Sequence, residues 1–185
     1  MRESENNELI GRAQRGDSAA MGELYLHYAD AIYRYVYYRT SDEKLSEDLT
    51  SETFLRMVEG IRSYEPRGIP FSAWLYRIAR ARLIDHWRRK NRRRTQLLDD
   101  TLVTRLADPD DAFDKLLDKQ SLALLLQELT DDQQEVIILK FVEGLSNAEV
   151  SNVLGKTEGA VKSLQHRALR RLARAMETDE NPETG

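Results

Sequence analysis

Residues 71–94 read FSAWLYRIARARLIDHWRRKNRRR. Apolar side chains recur at Phe71, Trp74, Leu75, Ile78, Ala79, Leu83 and Trp87. Steps of three and four place them on one face of a helix. Arg77, Arg80, Arg82, Arg88, Arg89, Lys90, Arg92, Arg93 and Arg94 fill much of the remainder, against Asp85 alone. The whole chain carries a net charge of −4, so this positive charge is concentrated, not general. A basic, ring-bearing helix suits a polyanion, and single-stranded nucleic acid above all. Rings stack on bases while arginines follow phosphates. The plainer alternative is a solvated helix end anchored by its tryptophans.

Composition sets the frame for that helix. The 185 residues fit one domain or two small ones. Apolar residues make up 41%, enough for helical cores, and strict alternation of apolar and polar residues is rare. No cysteine is present, which excludes disulfides and thiolate metal sites. The N-terminus lacks a signal-peptide core and no apolar run is long enough to span a bilayer, so no membrane insertion and a cytoplasmic location are expected.

Upstream of the basic helix, residues 6–15 read as a short helix ending at Gly16, with Asp17 or Ser18 capping the next. That second helix runs to about Arg39 and carries Tyr33, Tyr35, Tyr37 and Tyr38. It has more rings than one core face needs, so some should lie at a boundary or a partner surface. The alternative packs them on neighbouring helices with hydroxyls in water. Ser41 is expected to cap a third helix to Gly60, with Leu45, Leu49, Thr53, Val58 and Ile61 on or near one side. Asp48 and Glu52, four apart with Ser51 between, stack on one exposed face. Such a face could dock a basic helix or simply be solvated. Residues 63–70, SYEPRGIP, read as a turn.

Residues 95–111 are acidic and lack a helical stripe, the mark of a linker. A helix is expected over 112–129. Thr130 with Gln133, and Ser146 with Glu149, form two capping boxes. Gly144 ends the first of these helices, Gly155 makes the next turn, and Thr157 caps the last helix. Two short helices across a tight glycine turn read as helix-turn-helix. The last helix buries Ala160, Val161, Leu164, Ala168 and Leu172. Lys162, Ser163, His166 and Arg167 then share an outward patch suited to base edges and phosphates in a major groove. Arg170, Arg171 and Arg174 follow as phosphate anchors. His27, His86 and His166 are scattered, so no metal site is expected. No nucleophile–base pair or phosphate-loop glycine pattern appears, so neither a cofactor nor enzyme chemistry is expected.

Two segments, SEDLTSETFLRMVEGIRSYEPRGIPFSAWLYRIARARLIDHWRRKNRR and LTDDQQEVIILKFVEGLSNAEVSNVLGKTEGAVKSLQHRALRRL, carry a resemblance to bacterial RNA polymerase sigma factors of the extracytoplasmic-function (ECF) type. WLYRIAR followed by LIDHWRR is the more specific part; the second segment is also similar to activators of the response-regulator type. The resemblance implies an all-α protein of two small helical domains. A sigma2-like bundle would occupy 5–94 and a sigma4-like helix-turn-helix 112–177, joined by a flexible linker over 95–111. Asp48, Ser51 and Glu52 match positions that dock on the β′ clamp helices of core RNA polymerase. The Tyr64 turn and the helix after it match the part that opens the promoter −10 element, with Tyr64, Phe71, Trp74, Arg77, Arg80 and Arg88 as DNA contacts. Lys162, Ser163, His166, Arg167 and Arg170 match readers of the −35 element. An anti-sigma factor is implied as a further partner.

Two departures from the family pattern stand out. Ala81 replaces an asparagine common in relatives and cannot make its hydrogen bond to a captured base. Trp74 is unpaired where housekeeping factors carry adjacent tryptophans. The resemblance makes the expected function promoter-specific initiation, with weak DNA binding by the free chain. A response-regulator output activator and a helical RNA-processing factor are the competing readings.

Overall fold

The structure, a computed structural model, describes residues 3–66, 68–96, 122–123 and 125–179. All regular structure among the described residues is helical. Helix α1 spans Glu3–Gln14 and buries Leu9, Ile10 and Ala13. The chain turns at Gly16, whose φ of +89° falls in the region that L side chains avoid. Asp17 then caps α2 (Ser18–Thr40), accepting from the backbone N–H of Ala19 at 2.9 Å and of Ala20 at 3.2 Å. These bonds, the Ala20 one foremost, together with Arg12 hold its carboxyl below the usual carboxylate range.

The connection to α3 (Glu43–Gly60) differs from the expectation. Ser41 does not cap α3. It ends α2 in a left-handed conformation (φ +50°), donating its N–H to Tyr37 O at 2.8 Å. Asp42 is the cap, accepting from Leu45 N at 3.0 Å. So short a link turns α3 back along α2. The buried stripe of α3 is Ser46, Leu49, Thr50, Thr53, Phe54 and Met57, continued by Ile61 in a 3₁₀ turn (Ile61–Ser63). Val58, expected near that stripe, is 45% exposed, because Met57 already fills the inward position.

Helix α4 spans Phe71–Gln96, so Thr95 and Gln96 belong to it and not to the linker. Everything else expected of 95–111 lies outside the described residues. So does much of the helix expected over 112–129, of which Leu122, Ala123 and 125–127 are helical. Helices α2, α3 and α4 pack on one another around Leu24, Ile32, Tyr35, Phe71, Leu75 and Leu83. Burying each such side chain stabilises by about 1.5–3 kcal/mol.

In the second unit, α5 spans Asp131–Ile137, and Gln133 accepts from Thr130 N at 3.1 Å. A π-helical turn, Ile138–Val142, follows and ends before Gly144 (φ +74°). Helix α6 (Asn147–Leu154) opens with the expected capping box. Ser146 Oγ accepts from Glu149 N at 3.2 Å, and Glu149 accepts from Ser146 N at 2.6 Å. Gly155 (φ +64°) makes the turn and Thr157 Oγ1 accepts from Ala160 N at 3.2 Å, opening α7 (Glu158–Asp179). Helices α5 and α6 both pack on α7, α6 also lies against α4, and the π turn meets α2.

Candidate nucleic-acid interface

Helix α7 presents its basic face to solvent. Val161, Leu164 and Ala168 are buried, while Lys162, Ser163, His166, Arg167 and Arg170 are all exposed. The five share one side because removing the 3.6-residue apolar stripe leaves no other place for them. Ser163 Oγ donates to Gly159 O at 3.0 Å, so its hydroxyl keeps acceptor capacity toward a ligand.

The residues expected around the second interface divide into two groups. Tyr64 and Phe71 point inward, the latter 2% exposed, with ring centroids 5.2 Å apart. Tyr64 donates its hydroxyl to Ile69 O at 3.1 Å, and burial raises its pKa. Trp74 completes the cluster, 5.0 Å from Tyr64 and 5.3 Å from Phe71, and lies half-buried. The indole lies over Gly60, where a Cβ would stand at a contact distance of 3.4 Å. Arg77 and Arg88 are exposed, as is Ala81. Farther along α4, Lys90 lies 5.5 Å over the Trp87 ring. Burial, then the charges of Lys90 and Arg89, lowers the pKa of neighbouring His86.

On α3, Asp48 and Ser51 are exposed and Glu52 is half-buried. Glu52 lines a shallow groove with Leu55, Arg56, Glu59, Arg82 and Arg89. Leu55 is 64% exposed, which gives this acidic face an apolar centre.

Arg80 stands apart from the other basic residues. Its Nε donates to both carboxylate oxygens of Glu135, at 3.2 and 3.0 Å. Tyr35 Oη reaches the same carboxylate at 3.4 Å. A second carboxylate, Glu143, is gripped by Arg34 through Nε (3.2 Å) and Nη2 (3.0 Å) and receives the Tyr76 hydroxyl at 2.8 Å. Arg39 adds bonds to Gln134 and to Asp131, the latter at 3.4 Å. Glu135 and Glu143 side chains are 6% and 2% exposed. Burial pushes the Tyr35 and Tyr76 hydroxyls well above the usual tyrosine pKa, with Glu135 and Glu143 adding to it. Burial works against the charge of Arg80, but the Glu135 bond and charge prevail and its pKa is raised.

Sigma-70 region 2 matches residues 24–93, and sigma-70 region 4 matches residues 119–172. The ECF RNA polymerase sigma factor SigX of Bacillus subtilis is 32% identical over 83% of this chain and 82% of its own length. The chain belongs to the ECF sigma factors. Another such relative, BldN of Streptomyces coelicolor, is 43% identical over 93% of this chain. The chain spans 66% of BldN and 63% of the SigE of Mycolicibacterium smegmatis. Among solved structures, CnrH in complex with the cytosolic domain of CnrY superposes with a TM-score of 0.75. It is 25% identical, covering 94% of this chain and 98% of that one. The sigma factor RpoE from Bartonella quintana, solved with the anti-sigma factor NepR, shares the fold at a TM-score of 0.68 and 24% identity. That match covers 85% of this chain and 97% of RpoE.

For an ECF sigma factor, the unexpected part of this site is its carboxylates. Sequence reading singled out Arg80, and Tyr35 only among the rings of its helix, but not Glu135, Arg34, Tyr76 or Glu143. One signal was available. Glu135 lies three and four residues before Ile138 and Leu139, which are fully buried. Among the described residues, no group of three or more acidic or histidine side chains is placed to hold a metal, and no helix is long and apolar enough to cross a membrane.

Proposed function

We propose that this chain directs promoter-specific transcription initiation as a subunit of RNA polymerase. The observation that carries the reading is the pairing, on one chain, of a region 2 and a region 4 match with two separate cationic surfaces. One is the exposed Lys162–Arg170 face of α7, suited to intact duplex. The other is the ring-and-arginine end of α4, suited to parted strands. Units over 5–94 and 112–177 would act as the two readers.

The acidic face at Asp48, Ser51 and Glu52, with exposed Leu55 beside it, has the chemistry to dock on a basic helical element of core polymerase. Polymerase would hold the two readers at a fixed spacing, so that two weak readouts add through effective concentration. A captured base at Trp74 would offset part of the unstacking cost of a few kcal/mol. Because Tyr64 and Phe71 are buried, their part is to set the turn and the tryptophan. A protein antagonist of the anti-sigma kind fits the same reading, in line with the CnrY domain bound to CnrH.

Run-off transcription from a library of random promoter templates tests the function. Initiation at particular templates only when this chain joins core polymerase is the expected result. Unchanged initiation on every template would overturn it.

A further inference from the structure

Helix α6 hands over to α7 through the tight turn Gly155, Lys156, Thr157. Gly155 takes the left-handed conformation, Lys156 donates its backbone N–H to Ser151 O at 3.0 Å, and Thr157 caps α7. The backbone thus fixes the turn, and the Lys156 side chain is left for another task. Its Nζ reaches across to α5 and meets Asp132 Oδ2 at 2.9 Å. Both residues belong to the helix-turn-helix unit. Their side chains are 31% and 46% exposed, so water reaches both, and a pair so placed adds little to stability. In a helix-turn-helix the helix after the turn enters the major groove by its N-terminal end, and phosphates line the rims of that groove. Lys156 stands at that end, two residues before the first residue of α7.

We infer that Lys156 is a phosphate anchor of the duplex-reading unit and that Asp132 competes for it, so that a strand phosphate must displace the carboxylate to gain the lysine. The inference rests on the proposed function for duplex DNA as the ligand.

The chemistry of the pair suits an exchange. A lysine ammonium on its four-carbon stem can swing from one anion to another without moving the turn. Lys162 and Arg167 are exposed on α7, whereas Lys156 starts from a carboxylate that it must leave. A surface pair of ordinary strength leaves such a lysine free only part of the time, which lowers duplex affinity about twofold to sixfold. Once the lysine has moved, Asp132 stays behind as a negative charge close to a polyanion. The pair therefore keeps duplex binding weak until polymerase supplies the effective concentration that two joined readers need. Asp132 is also a lesser cause of the raised Arg80 pKa, so its removal touches a second cation. Comparing its removal with and without Lys156 separates the two effects.

The full chain is titrated onto a mixed-sequence duplex oligonucleotide at several salt concentrations, with fluorescence anisotropy as the readout. Lys156→Gln should weaken binding and lower the slope of log affinity against log salt by about 0.9, the value for one phosphate contact on B-DNA. Lys156→Arg should keep the slope of the unmutated chain, which a merely structural lysine would not require. Asp132→Asn should tighten binding about twofold to sixfold at an unchanged slope. The double variant should match Lys156→Gln, because the gain from Asp132→Asn passes through the lysine. Equal helical circular dichroism and melting temperature in all four variants check folding. An unchanged slope in Lys156→Gln would overturn the anchor. No gain from Asp132→Asn, or a gain that persists in the double variant, would overturn the competition. Run-off transcription by the unmutated chain is scored separately. Initiation without the slope change removes the anchor alone, whereas the slope change without initiation removes the functional reading alone.

Discussion

Helices α4 and α7 are both long and basic, yet they spend their charges differently. Among the described residues helix α7 packs chiefly on α5 and α6, so subtracting its apolar stripe leaves a face that is in fact exposed. Helix α4 packs on α2, α3 and α6. There the same subtraction fails at Arg80, which lands on a carboxylate from the other unit, and the rings at its start turn inward. Period reports which residues share a face. It does not report how many neighbours a helix has.

The contrast is sharpest at the rings. Phe71→Ala should destabilise the chain by about 3–5 kcal/mol in urea unfolding, the usual cost of emptying a buried phenylalanine site. His166→Ala on the exposed face of α7 should move it by no more than about 0.5 kcal/mol. Similar losses from the two would break the comparison. At the level of DNA, Lys162→Ala and Arg167→Ala should each cost roughly 1–3 kcal/mol of discrimination in competition footprints with polymerase present. Full promoter preference in both would remove α7 as the reader of base edges. Charge reversal at Asp48 and Glu52 together should weaken co-purification with core polymerase roughly tenfold while leaving the melting temperature in place. Ser146→Ala should lower stability by about 1 kcal/mol through loss of the α6 cap, without changing which base pairs are preferred.

The helix-turn-helix unit was legible because its punctuation is local. Ser146, Glu149, Gly155 and Thr157 each act on backbone groups within a few residues, and each does what its type and spacing imply. The cap of α3 was misplaced by one residue, since Ser41 and Asp42 are both competent caps and only the left-handed turn at Ser41 decides between them. The excess of rings in α2 left open a boundary or packing on neighbouring helices, and Tyr35 does both, edge to face on Tyr76 and reaching Glu135. Tyr35 and Glu135 lie 100 residues apart, and nothing local in either segment encodes their meeting. The α7 patch could be assembled from spacing alone, whereas the junction at Arg34 and Arg80 required tertiary placement.

Gln14 carries a consequence for how such a protein is trimmed. Its side-chain amide donates to Ile61 O at 3.1 Å and Tyr64 O at 2.7 Å, fastening the first helix to the bend that seats the aromatic trio. Gln14 precedes the region 2 match, which starts at residue 24. Expression boundaries drawn from that match would discard the fastening and leave the bend's two carbonyls without it. The first helix thus holds the bend and its aromatic trio in place, and a fragment lacking it would understate the stability of that end of the bundle.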